Sequence, residues 1–302
     1  MQDHNENGAA LLIALLMIVL LGIIVVELSH SIAIDARAVQ NTGLDAQNLQ
    51  AALGGVQYAM ALLMRDIPED APISPDQDWA KDQQIEIGAA TVTVWIADEA
   101  SKISINHLTP DAKDEGNELD RLTMALKLDV KDIGAKAQDW MDADDDGSFE
   151  KGAANRLFLC PAELLLINGI DRAALYGDNG LGPHITVWSD GKVNINTAPK
   201  PVLEAILPKD DADLAEDIIK RREQAPFAKA TELQSVPGMT GEAYERMEKK
   251  TCTGGAVFMV ESRAEIGPMR RTVRAVLRRD EDVMQIIFFE ETPERPMRER
   301  DS

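Results

Sequence analysis

An uncharged apolar stretch at residues 8–26 constrains this chain more than any other feature of its sequence. At 1.5 Å per residue, a helix of that length crosses roughly the 30 Å hydrocarbon core of a bilayer. The polar segment before it contains the acidic Asp3 and Glu6, whereas a secretory signal peptide has a basic front and a shorter apolar run. The sequence therefore predicts a membrane-embedded helix rather than a cleaved signal or a buried core helix.

The rest of the chain has the composition of an acidic globular protein. With 302 residues and 45% hydrophobic content, the chain can bury one or two cores outside the membrane segment. The net charge of −21 works against binding to nucleic acid or anionic lipid, because like charges repel. The single apolar span predicts a protein that crosses the membrane once. Neither flank is clearly basic, so the flanking charges leave the orientation open.

Apolar residues keep a helical spacing beyond the membrane segment, up to about Asp66, which predicts an amphipathic extension of the same helix. We expect Gly43, Gly54 and Gly55 to bend this extension, because glycine weakens a helix interior by up to about 1 kcal/mol. Pro68 then ends the helix, and a polar, proline-rich loop follows.

Strands are predicted on either side of a long helical region. Residues 85–96 alternate as in a hairpin of two strands, and the patterns at 257–266, 271–277 and 283–289 also indicate strands. Residues 108–254 are instead helical in pattern and interrupted by glycine and proline. The sequence thus predicts a sheet that begins near residue 85, is interrupted by a helical insert, and finishes near residue 290.

An aspartate-rich segment in the insert reproduces the start of an EF-hand loop. Three alternate aspartates followed by glycine would converge on Ca²⁺, but the twelfth loop position is Ala153 instead of the usual bidentate glutamate. The segment therefore predicts either a solvated acidic loop or a Ca²⁺ site closed by Glu150 or a carboxylate elsewhere. The predicted ligands are Asp142, Asp144, Asp146 and Glu150.

Residues 193–239 resemble a helix-hairpin-helix domain of the competence DNA-receptor type. A DNA-binding hairpin offers glycine-flanked backbone N–H groups and basic side chains to phosphate. Here the first hairpin, at 208–213, has no glycine and three aspartates, and the second is followed by Glu242 and Glu245. This chemistry favours use of the motif as a protein scaffold, with no nucleic acid bound.

No catalytic set is evident, so we expect a protein that is not an enzyme. The histidines are scattered and lack metal-ligand spacing. Cys160 and Cys252 are the only cysteines. In an oxidising compartment they could form a disulfide that staples the insert, or they could stay as buried free thiols. The sequence leaves both alternatives open.

A short polar leader that ends in glycine before an apolar helix resembles the signal of type IV pilins and type II secretion pseudopilins. The resemblance implies that a prepilin peptidase cuts after Gly8 and methylates the new N-terminus at Ala9. Most of that family has glutamate at the fifth mature position, where this chain has Ile13. In this respect the chain resembles the K subunit, a large minor pseudopilin placed at the pseudopilus tip, which would pack its helix from Val39 to Leu63 against neighbouring subunits.

Further motifs are similar to those of the K subunit family: the turn that begins at Asp98, the aspartate-rich loop, which binds calcium in family members, and the segment at 193–199. The resemblance implies an α+β pseudopilin fold, in which a long N-terminal helix packs on an antiparallel sheet and a large α-helical insert with helix-hairpin-helix-like repeats interrupts the sheet. The implied divisions are a leader at 1–8, a helix at 9–66, the first part of the sheet domain at 67–107, the insert at 108–254, closing strands at 255–290, and a disordered tail at 291–302.

The resemblance also implies a function. Such a subunit would cap the pseudopilus together with other minor pseudopilins and help to export folded proteins across the outer membrane. It would be anchored in the inner membrane by one helix, with most of the chain in the periplasm. The alternative from another class is a membrane-anchored DNA-uptake receptor that uses the hairpin domain.

Overall fold

A computed structural model describes residues 3–68, 71–109, 116–143, 148–149, 153–239 and 241–292. The α-helices are α1 (Asp3–Asp66), α2 (Glu118–Ala125), α3 (Ile133–Met141), α4 (Arg172–Tyr176), α5 (Lys200–Ile206), α6 (Leu214–Gln224) and α7 (Gly241–Lys250). The strands are β1 (Gln83–Ile87), β2 (Ala90–Asp98), β3 (Ile103–Ser104), β4 (Ile185–Thr186), β5 (Val193–Asn194), β6 (Thr251–Cys252), β7 (Val257–Ile266), β8 (Met269–Asp280) and β9 (Val283–Thr292).

The main sheet has five strands in the order β1-β2-β7-β8-β9, and all neighbouring strands are antiparallel. Because β2 pairs with β7, the chain leaves the sheet at Asp98 and returns beside it, where Asp98 lies opposite Phe258. The helical insert therefore interrupts one continuous sheet, and the predicted α+β fold is confirmed. The last strand continues to Thr292, beyond the predicted end of the sheet near residue 290.

The second half of α1 packs on one face of this sheet. Ala52, Val56 and Leu63 are buried there against apolar side chains of β2, β7 and β8. The helix lies close to the sheet at Gly55, where an added Cβ would be 2.1 Å from Ser262 Oγ. Because α1 is one unbroken helix, we attribute Gly55 to this close approach and not to the expected bend.

The first half of α1 is exposed and apolar. Among the described residues, one helix is long and apolar enough to cross a membrane; its 18-residue window has a mean hydropathy of 3.2 and no buried part. This arrangement fits a protein with a single membrane anchor.

The expectation that Val39 to Leu63 face neighbouring subunits is wrong for the C-terminal part of that segment, because Val56 and Leu63 are buried on the chain's own sheet. Val39 remains 74% exposed.

The insert has a second hydrophobic core, separate from the core under α1. Leu119 and Leu122 of α2 pack in this core with Leu203 of α5 and Ile218 of α6. Two short parallel strand pairs, β3 with β4 and β5 with β6, join distant parts of the insert near its connection to the sheet. The chain thus folds around two cores, which meet where the insert leaves the sheet.

Candidate functional sites

The two cores are joined by a buried polar network centred on Asp98, at the end of β2. Asp98 Oδ2 accepts hydrogen bonds from Asn194 Nδ2 at 2.8 Å and Thr197 Oγ1 at 2.7 Å, and Oδ1 accepts from Ala100 N at 2.9 Å. Asn194 Nδ2 also donates to Ile73 O at 3.1 Å. The segment at 193–199, interpreted in the sequence as part of a hairpin motif, therefore forms a contact between the insert and the sheet domain.

Burial raises the pKa of Asp98, and the three donors only partly offset that effect. The network is tightly enclosed, because a Cβ added at Gly255 would lie 2.9 Å from Asp98 Oδ1. Sequence reasoning took Asp98 for part of a polar turn and missed its role. The available signal was an acidic residue at the last position of a strand, followed by a turn.

Two arginines that could have served a DNA-binding hairpin are engaged within the protein. Arg222 Nη1 donates to Ile195 O and Ala198 O, both at 2.7 Å, and burial lowers the pKa of Arg222. Arg221 lies over the Phe227 ring at 5.1 Å from its centroid. Both guanidinium groups therefore make contacts within the insert that support its fold.

The hairpin loops themselves are acidic. Helix α5 and helix α6 are joined by a short 3₁₀ turn at Lys209–Asp211, where Asp210 is exposed. In the second loop Gly238 adopts a positive φ of 82°, and helix α7 begins at Gly241 with Glu242 in its first turn. Exposed carboxylates at these positions repel phosphate, which argues against the DNA-uptake alternative.

The acidic loop follows α3. Its base is closed by two backbone donors: Phe149 N donates to Asp139 Oδ2 at 2.8 Å, and Asn155 N donates to Trp140 O at 2.9 Å. Asp142 lies directly after the helix. The other predicted ligands, Asp144, Asp146 and Glu150, lie outside the described residues. Within the described parts of the chain, no group of three or more His, Cys, Asp or Glu side chains is placed to hold a metal ion.

Both cysteines are free thiols in the structure, which is one of the two alternatives that the sequence left open. Cys252 Sγ donates to Gly254 O at 2.8 Å. Burial, together with the charges of Asp98 and Asp190, raises the pKa of Cys252 to about 12.

At the other end of the chain, the predicted processing residues Gly8 and Ala9 lie within the backbone of α1, and cleavage between them stays a prediction.

A buried ion pair that the sequence did not suggest ties the start of α2 to the end of α7. Glu118 pairs with Lys250 and also accepts hydrogen bonds from Thr109 N at 3.0 Å and Thr109 Oγ1 at 2.8 Å. Burial alone would raise the pKa of Glu118, but the Lys250 charge and these donors outweigh it and lower that pKa. With Ser104 and His107, the pair lines a small polar cavity inside the insert.

Comparisons with known proteins agree with this description. The family model for protein K of the type II secretion system matches residues 193–251. A type II secretion system protein K of Pseudomonas aeruginosa strain PAO1 is 25% identical over 313 residues, covering 92% of this chain and 90% of the relative. One of Aeromonas hydrophila is 25% identical over 237 residues, covering 68% of this chain and 70% of the relative.

The fold is also similar to a solved structure. The crystal structure of the GspK-GspI-GspJ complex from the enterotoxigenic Escherichia coli type 2 secretion system contains a chain that matches with a TM-score of 0.69 at 16% identity. The match covers 85% of this chain and 99% of that chain. Together with the order of motifs along the sequence, these matches show that the chain is similar to protein K, a minor pseudopilin of type II secretion systems.

Proposed function

We propose that this minor pseudopilin occupies the tip of the pseudopilus, where it supports assembly of the pseudopilus and export of folded proteins. The observation that carries the proposal is Ile13, an apolar residue in the exposed part of α1 at the position where most pseudopilins have glutamate. A glutamate there would pair with the N-terminal ammonium of the subunit above. A subunit with nothing above it needs no such carboxylate, and an unpaired charge in lipid is costly.

The same proposal places the anchor helix in the inner membrane and the two cores in the periplasm. The exposed apolar half of α1 and its packed second half support this placement, because the helix leads directly from the span to the sheet. The similar E. coli chain was solved together with GspI and GspJ, so we propose other minor pseudopilins as partners. The polar segment that ends at Gly8 before the apolar helix supports a prepilin peptidase as the processing enzyme. The role is structural and involves no catalysis.

Secretion efficiency in cells that lack the native protein tests the tip position. We expect Ile13→Glu to give no gain and some loss of secretion, since a carboxylate in the membrane costs roughly 2.5–3.5 kcal/mol on insertion scales. Leu16→Glu is the matched control, because Leu16 is similarly exposed on the same apolar helix but does not occupy the fifth mature position. The two variants should be impaired to a similar degree.

A contrasting result would show that this subunit sits beneath another one. If Ile13→Glu secretes better than the native chain while Leu16→Glu secretes worse, a partner ammonium must be present at the fifth position, and the tip placement is wrong. Comparable amounts of both variants in the membrane fraction are required, so that a difference in secretion reports on assembly.

We further propose that the acidic loop binds Ca²⁺ through Asp142, Asp144, Asp146 and Glu150. The alternate spacing of the aspartates and the closed base of the loop, from Asp139 to Phe149, support the proposal. Ca²⁺ should raise the melting temperature of the purified chain, because a ligand that binds only the folded state stabilises it. Asp144→Ala should abolish the shift and Asp282→Ala should preserve it. Identical melting with Ca²⁺ and with chelator would favour a solvated loop.

A further inference from the structure

Strand β9 is a ten-residue edge of the main sheet. Within the described residues it pairs only with β8, so its other edge presents unpaired backbone N–H and C=O groups. Its side chains are unusually apolar for such a position: Val283, Ile286 and Phe289 are 56%, 49% and 42% exposed. An exposed edge of this kind is a template for pairing with another strand.

A β-bulge places two of these apolar side chains, Ile286 and Phe289, on one face. The register shifts by one residue at Ile287, so that Ile286 lies opposite Leu277 and Phe289 lies opposite Ala275. In regular alternation, residues three apart point to opposite faces, whereas the extra residue brings Ile286 and Phe289 to the same face. Leu277 and Ala275 belong to the core beneath α1, so the two exposed side chains extend that core sideways, beyond the helix.

The charged side chains of β9 and of the turn before it are all carboxylates. From Glu281 to Thr292 the sequence contains four carboxylates and no basic residue. Glu281 and Asp282 precede the strand, and Glu290 and Glu291 lie near its end. Arg274 and Arg271 of β8 form ion pairs with Glu290 and Glu291, but each arginine also pairs with a second carboxylate, Glu261 or Asp45, so this end of the strand keeps a net negative charge. Antiparallel pairing of two copies of β9 would set the carboxylates of one end against those of the other, which is unfavourable. The edge is therefore unsuited to a second copy of this chain.

We propose that β9 pairs with an extended segment of a different protein, one with apolar side chains at alternate positions and lysine or arginine at both ends. The unpaired backbone supplies the hydrogen bonds of such an added strand. Ile286 and Phe289 supply an apolar contact on the helix side of the sheet. The carboxylates at the two ends select a basic partner and reject an acidic one. This surface does not depend on where the subunit sits in the pseudopilus.

The test uses the full chain in detergent and a fluorescent synthetic peptide in which threonine and valine alternate between paired lysines at each end. Binding is followed by fluorescence anisotropy. We expect replacement of the lysines by glutamates to weaken binding by about tenfold or more at low salt, with a smaller difference at high salt, because exposed charges are then screened. Methylation of alternate peptide nitrogens should abolish binding. Phe289→Ser should weaken it severalfold, whereas Met124→Ser, at an exposed apolar residue of the insert, should not.

Several results would overturn the proposal. Absence of binding by the lysine-ended peptide would do so, as would equal binding by the glutamate-ended or the methylated peptide, since neither charge nor main-chain pairing would then matter. Slow hydrogen exchange of the outward amides of β9 in the chain alone would show that another part of the same chain already covers the edge. Dimers that dissociate in the Phe289→Ser variant would show that a second copy is the partner instead.

Discussion

At the scale of single residues, the carboxylate of Asp98 holds together two parts of the molecule that pack separately. Asn194 and Thr197, which donate to it, belong to the insert, whereas Asp98 belongs to the sheet. Loss of the carboxylate leaves one amide hydrogen of the buried Asn194 and the hydroxyl of the half-buried Thr197 without this acceptor. We expect Asp98→Ala to lower the free energy of unfolding by about 2–3 kcal/mol, in proportion to the cost of unsatisfied buried polar groups. Thermal or urea unfolding measures the change, with the exposed Asp282→Ala as the control.

The effect of Asp98→Ala should also depend on pH. Because burial raises the pKa of Asp98 above its ordinary value of 3.8, the folded state holds this proton at pH values where the unfolded state has released it. The contribution of Asp98 to stability is therefore largest at acidic pH and falls as the pH rises through its folded-state pKa. The difference in stability between the native chain and Asp98→Ala should shrink from acidic to neutral pH. A difference that grows over this range would contradict the assigned burial.

The thiol of Cys252 should react far more slowly in the native chain than in the unfolded chain. A pKa of about 12 instead of 9.0 lowers the thiolate fraction near pH 8 by about a thousandfold, and the thiolate is the reactive form. In Cys160→Ser, we expect iodoacetamide to modify Cys252 slowly in the native chain and quickly after unfolding in guanidinium. Rapid modification in the native state would show that the thiol is accessible. Unchanged mass on reduction of the native chain would confirm that the cysteines are not bridged.

At the scale of elements, α1 contains one glycine that its close approach to the sheet requires and another that no contact requires. Gly55 lies where the helix touches the sheet, with Val92 Cγ1 2.8 Å from the position of an added Cβ, whereas no atom lies within 4 Å of the same position at Gly43. Gly55→Ala should destabilise the chain by about 1–3 kcal/mol through overpacking. Gly43→Ala should stabilise α1 by up to about 1 kcal/mol, because alanine favours a helix. Melting of both variants checks the signs, and a more stable Gly55→Ala would refute the close approach.

Elements with a regular pattern could be predicted from the sequence, and contacts between distant elements could not. The apolar span and the alternation in β2 and β7 follow from local periodicity, which is why the helix and the strands were expected. The bond from Asn194 to Asp98 joins residues 96 positions apart, and local sequence does not specify such a partner. The bulge at Ile287 was missed for a related reason. In a run of apolar residues, the sequence does not show at which residue the alternation of side chains between the two faces shifts.

At the scale of the whole molecule, the helix α1 has two distinct surroundings. Its second half belongs to the core of the sheet, and its first half has no contact within the described chain that would bury it. An exposed apolar half is stable only in lipid or against other apolar helices. The insert adds a second core that contacts the sheet through the Asp98 network and through Trp188, which packs against Phe288 of β9 and accepts a hydrogen bond from Arg278 of β8. The anchor and the insert are thus attached to the sheet at separate places, so each can change without disturbing the packing of the other.

If residues 1–8 are a prepilin leader, we expect their removal to decide whether the anchor can leave the bilayer and enter a pseudopilus. Asp3 and Glu6 precede Gly8, and an uncleaved leader would carry both charges at the end of the apolar helix, where apolar surroundings make them costly. If a prepilin peptidase removes the leader, the intact mass of the membrane-extracted chain should correspond to a protein that begins at N-methylated Ala9. Gly8→Val should block cleavage, keep Met1 and abolish secretion. Gly22→Ala, a change in the same helix where no atom lies within 4 Å of the added Cβ, should be processed normally. A native chain that retains Met1, or one cut after the apolar run, would be incompatible with pilin-type processing.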